Sequence, residues 1–89
     1  MLDTSKTLQV IHSVWDNGGE SLDRYTVLLK DGTTEDQGAY FSLSENPDSL
    51  QGVSQYGAGA SPGENLGREI SSKELPVKVL HHLVKRLES

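Results

Sequence analysis

The hydrophobic period of this 89-residue chain changes once, near Leu75. Upstream, short segments alternate apolar and polar side chains with period two, the spacing of strands that turn one face to a core. Downstream, Val77, Leu80, Leu83, Val84 and Leu87 recur at three- and four-residue intervals, the spacing of one buried helix face. Strands first and one helix last specify an α+β domain. The expected architecture is a small antiparallel sheet of three to four strands with the C-terminal amphipathic helix packed on one face. Two sheet layers would be hard to fill, because a chain this short buries only roughly 60–65% of the surface its unfolded form exposes and is 34% hydrophobic. The length fits a single domain over residues 7–89, with residues 1–6 a disordered N-terminal tail.

The first strand is expected from Thr7 to Trp15. Leu8, Val10, His12 and Val14 would share one face, and Gln9, Ile11, Ser13 and Trp15 the other. Apolar residues on both faces imply partial cover on each side. Asp16-Asn17-Gly18-Gly19-Glu20 is a turn, since Asn-Gly favours positive φ at successive residues. Arg24 to Lys30 reads as a strand with Tyr25, Val27 and Leu29 in alternation. Ala39 to Ser44 follows as its antiparallel partner, with Phe41 and Leu43 on one side. Pro47 fixes a turn at Asn46-Pro47-Asp48-Ser49. Gln51 to Tyr56 reads as a short fourth strand, with Ser54 and Tyr56 on one side and Val53 and Gln55 on the other.

Gly57 to Gly63 is a loop whose glycine spacing is not a dinucleotide fingerprint. Leu66 and Ile70 are core anchors beyond it. The helix is expected over Leu75 to Glu88, with Pro76 in its first turn and a capping signal at Ser71 and Ser72. Lys78, His82, Lys85 and Arg86 would form its wet face.

The chain has no cysteine, which excludes disulfides, thiolate metal sites and cysteine nucleophiles. Its net charge of −5 disfavours nucleic acid and anionic membranes as partners. No basic leader precedes an apolar run, and no window approaches the ~20 apolar residues of a spanning helix. The expectation is a soluble cytoplasmic protein with no membrane partner.

Five stretches carry a resemblance: Asp23-Arg24-Tyr25-Thr26-Val27, Leu43-Ser44-Glu45-Asn46-Pro47, Gln51-Gly52-Val53-Ser54-Gln55, Leu66-Gly67-Arg68-Glu69-Ile70 and Leu75-Pro76. In wording and order they resemble small bacterial and phage proteins of unknown function, over roughly residues 23–87. The resemblance implies a recurring small domain and no particular chemistry.

The segment from Ser42 to Tyr56 is polar and rich in turn-formers, and it supplies the candidate binding residues Ser44, Asn46, Gln51, Gln55 and Tyr56. Their amides and hydroxyls offer both donors and acceptors. The competing reading is that they stitch a loop to its own backbone. The histidines do not suggest a metal site: His81 and His82 are adjacent on a helix and point about 100° apart. No serine stands in a G-x-S-x-G elbow, and a small scaffold preorganises a site poorly, so serine catalysis is disfavoured. Glu35 with Asp36, and Asp48 near Glu45, read as solvated carboxylates rather than an acid–base pair. No cofactor or metal is expected. The function expected is a noncatalytic protein- or peptide-interaction module, with a small-molecule binder or minor enzyme using residues 44–56 as the alternative.

Overall fold

A computed structural model describes residues 4–88. Helix α1 (Thr4–Val10) leads directly into strand β1 (Ile11–Asp16), followed by β2 (Tyr25–Leu29), β3 (Tyr40–Leu43), β4 (Ser54–Gly57), β5 (Arg68–Ile70) and helix α2 (Val77–Glu88). The five strands form one antiparallel sheet in the order β4-β3-β2-β1-β5, so the α+β class is as expected and the sheet is one strand larger than the upper expectation.

Two features of the N-terminus differ from the sequence reading. Residues 4–6, expected in a tail, form the first turn of α1, and residues 1–3 lie outside the described residues. The segment Thr7–Val10, expected as strand, is helical. Its Thr7 is buried and Val10 packs against the core, while Leu8, an apolar member of the expected alternation, is exposed. A short apolar–polar run fits either period, and contact between α1 and α2 decides for helix.

A β-bulge then resets the alternation in β1. Ile11 lies opposite Leu29 and Ser13 opposite Leu28, leaving His12 as the extra residue. Ile11 and Val14 therefore share the helix-facing side, whereas unbroken alternation puts them on opposite sides. From Ser13 onward the register is regular, with Val14 opposite Val27 and Ile70.

The core lies between this side and α2. Val14, Tyr25, Val27, Leu29, Phe41, Leu43 and Ile70 meet Leu75, Val79 and Leu83, with Leu80 and Leu87 at the margin. Full burial of a side chain such as Leu83 contributes roughly 1.5–3 kcal/mol relative to exposure. The helix is rotated from its expected face: Val79 is fully buried, whereas Val77 is 82% exposed. Pro76 precedes the helix, and its carbonyl accepts from the N–H groups of Val79 and Leu80. The capping signal belongs to the preceding 3-10 turn, where Ser71 and Glu74 form a capping box.

The second sheet face is covered as well. Since β4 and β5 lie at opposite edges, the connection between them must cross the sheet. Its residues Ala60 and Leu66 border a crevice with Thr26, Tyr40 and Ser42. Trp15 and Leu28 are buried on this side, and Trp15 Nε1 donates to Ser13 Oγ at 2.9 Å. Among the described residues no helix is long and apolar enough to cross a membrane.

Candidate functional site

The functional groups gather at one end of the sheet, where β1–β2 and β3–β4 are connected. Arg24 ties these two connections together. Its Nε and Nη2 donate to Asp16 at 2.8 and 3.1 Å, and its Nη1 donates to Glu45 beyond β3. The hydrogen bond from Arg24 holds the Asp16 carboxyl below its usual value, opposed by burial and assisted by the Gly18 N–H. Arg24 is correspondingly raised by its bonds to Asp16 and Glu45.

Between the two connections lies an open cleft of about 490 Å³, lined by Leu22, Arg24, Ser44, Glu45, Asn46 and Gln51 among others. Three of the five candidate residues are thus brought together. Their roles differ. Ser44 is buried, and its Oγ accepts from the Val53 N–H at 2.9 Å while its own N–H donates to the Val53 carbonyl at 2.9 Å. Its polar groups are spent holding the start of β4 to the end of β3. Asn46 and Gln51 are exposed, and their side-chain amides make no hydrogen bond within the described residues. Leu22 lines the cleft at 64% exposure, and Leu50, between the lining residues Ser49 and Gln51, is wholly exposed.

Gln55 and Tyr56 do not join this cleft. Gln55 is exposed on β4 opposite Ser42, on the face away from α2. Tyr56 stands opposite Phe41, its ring edge-on with centroids 5.4 Å apart. Its hydroxyl donates to Asp36 Oδ2 at 2.6 Å and lies 3.1 Å from Thr34 Oγ1, and the Asp36 bond raises the phenol pKa. Tyr56 therefore fastens the long β2–β3 connection to the sheet edge.

A second constellation lies along the seam between β4 and α2. Asp48 Oδ1 is 2.7 Å from His82 Nδ1, and His82 Nε2 is 2.7 Å from Ser54 Oγ. Arg86 Nη1 donates to the same Ser54 Oγ at 2.7 Å and to the Ser54 carbonyl at 3.2 Å. The Arg86 guanidinium also sits 5.2 Å from the Phe41 ring centroid. The bond from His82 lowers the Asp48 carboxyl, and Lys85, 3.9 Å away, adds to the effect. His82 and Arg86 are accordingly not part of a wet helix face: they bridge α2 to the sheet edge. The sequence offered one usable signal, the i, i+4 spacing of His82 and Arg86, but nothing marked Ser54 and Asp48 as their partners.

A larger open cavity, about 1140 Å³, lies at the opposite end, near His12, Asp31, Glu35 and Pro62. Its lining includes Thr34 and Asp36, whose side chains are already bonded to the Tyr56 hydroxyl and hold the β2–β3 connection in place. Among the described residues no group of three histidine or carboxylate side chains is placed to hold a metal ion.

No family model, curated protein or solved structure matches the chain.

Proposed function

We propose that the protein is a small interaction module that binds a peptide segment of another protein in the cleft between residues 17–24 and 44–52. One observation carries this reading: unengaged amides at Asn46 and Gln51 adjoin two leucines, Leu22 and Leu50, that are 64% and 105% exposed. Exposed apolar side chains beside a polar cleft are the arrangement that anchors a partner's side chain and orients its backbone. Glu20 lines the cleft, and the Arg24 charge is already matched by Asp16 and Glu45, so the favoured peptide carries an apolar anchor and a basic residue. Within the same reading the protein works in the cytoplasm of a bacterial cell, in keeping with the resemblance to bacterial and phage proteins.

Panning a displayed random-peptide library against the chain tests this reading. Enriched peptides should lose binding to Leu50→Asp and to the Asn46→Ala, Gln51→Ala double variant. Peptides that bind all of these as well as the parent chain would remove the cleft from consideration.

A second reading is a small-molecule binder or minor enzyme. It is favoured by the Asp48–His82–Ser54 line, in which a carboxylate, an imidazole and a hydroxyl stand in successive hydrogen-bond contact. A metabolite thermal-shift screen tests it, since a ligand that binds only the folded chain raises the transition temperature by mass action.

A further inference from the structure

With His82 as the neutral imidazole, the bonds around Ser54 set the order of its protons. Arg86 can only donate, so Ser54 Oγ accepts from it. The Asp48 carboxylate can only accept, so His82 Nδ1 carries a hydrogen toward it. In the neutral imidazole Nε2 is then an acceptor, and the one proton of the Ser54 hydroxyl points at it across 2.7 Å. This is the tautomer and the order of contacts that a serine nucleophile requires: hydroxyl, base, and a carboxylate that orients the base. The three residues come from the β3–β4 turn, β4 and α2, so the order is created by helix–sheet packing rather than by a local motif.

We infer that Ser54 is an acyl-accepting nucleophile with His82 as its general base and Asp48 as the orienting carboxylate, acting on small activated carboxylic esters. The inference rests on the second functional reading and gives it a substrate class. Ser54 Oγ forms a bond to the ester carbonyl carbon as its proton passes to His82 Nε2, and the carbonyl electron pair moves onto oxygen. The Arg86 guanidinium, which donates to Ser54 Oγ at 2.7 Å, holds the hydroxyl in position beside His82. Collapse breaks the bond to the leaving alcohol, which takes the proton from His82. Water then attacks the acyl-serine by the same steps, releasing the carboxylic acid and restoring Ser54. Ser54 lies on an edge strand and is partly exposed, beside His82 at 15% side-chain exposure, so a small ester reaches the hydroxyl from solvent. The peptide cleft uses other side chains, so the two activities are compatible.

The test uses the full chain and p-nitrophenyl acetate. The expected result is p-nitrophenol release with one acetyl group located on Ser54 by peptide mass mapping. Ser54→Ala and His82→Gln should each lower the rate about 100-fold, the usual contribution of a positioned general base. Asp48→Asn keeps a side chain of the same shape in an exposed position and should lower the rate while leaving the thermal transition in place. That variant keeps the test decisive if changes at the half-buried seam weaken folding. The inference is overturned if the acetyl group maps to lysine or tyrosine instead of Ser54, or if folded Asp48→Asn and His82→Gln react as fast as the parent chain. Stabilisation by a metabolite without Ser54 acylation would overturn the nucleophile alone and leave a small-molecule binder.

Discussion

Arg24 donates twice to Asp16, at 2.8 and 3.1 Å, and so clamps the two ends of the β1–β2 connection. The same guanidinium reaches Glu45, which fixes the first connection to the second and sets the width of the cleft between them.

The clamp gives stability a defined pH dependence. The Asp16 carboxyl is lowered in the folded chain, first by the Arg24 hydrogen bond, below its unfolded value near 3.8. Its contribution is therefore complete above that unfolded value and is lost as pH falls through the lower folded value. Urea unfolding midpoints should drop as pH falls below about 4, and Asp16→Asn should lose less over the same acidification. At neutral pH the variant should be less stable than the parent chain, by a margin that shrinks as salt is added, because Arg24 is open to solvent. Parallel loss of stability in both chains on acidification would show that the pair adds nothing.

The rotation of α2 is tested by comparing two of its residues. Leu83→Ala opens a cavity under a fully buried side chain and should cost about 2–4 kcal/mol. Val77→Ala, at an 82% exposed position, should change stability by less than about 0.5 kcal/mol. Denaturant unfolding of both variants separates the observed helix face from the one the raw spacing suggests.

Gly38 and Gly18 make a second informative pair. Both have positive φ, 64° and 77°. A Cβ at Gly18 meets open space, so alanine there carries only a conformational cost of about 1 kcal/mol. A Cβ at Gly38 would lie 2.5 Å from the Ala60 carbonyl oxygen, where the loop crossing the second sheet face is bonded to the β2–β3 connection. Gly38→Ala should cost more than Gly18→Ala and should speed hydrogen exchange at Ala60, whose N–H donates to the Gly38 carbonyl at 3.1 Å. Equal costs and unchanged exchange would mean that the loop is not anchored there.

Ending the chain at Glu74 removes Leu75, Val79 and Leu83 from the core and exposes Val14, Val27 and Leu43. Cooperative thermal unfolding should disappear, since a small sheet cannot hold an uncovered apolar face. A sharp transition in the truncated chain would count against the central role of α2.

Part of the candidate site was legible in residue chemistry. Asn46 and Gln51 lie in a polar segment with a turn fixed by Pro47, and they do present their amides beside a cleft. Ser44 has the same composition signal and an opposite fate, because a hydroxyl next to a strand end finds a backbone N–H before it finds a ligand. Gln55 and Tyr56 follow strand alternation and face opposite sides, so sequence proximity could not keep them in one site. The Ser54–His82 contact was illegible for a different reason. It spans 28 residues and exists only because α2 lies across the β4 edge.

Alternation and turn chemistry alone determined β2 and β3, their antiparallel pairing, and the existence of one amphipathic helix near the C-terminus. These are local properties: side-chain period, the conformations Gly, Asn and Pro permit, and the gain from burying one face. Tertiary structure decided the rest. Packing against α2 made Thr4–Val10 helical, the bulge at His12 set which β1 residues face the core, and a loop crossing the second face brought Ala60 and Leu66 beside Thr26, Tyr40 and Ser42. It also turned His82 and Arg86 from solvent toward Ser54. In each case two alternatives satisfy the local pattern about equally, and contacts between segments distant in the chain select one.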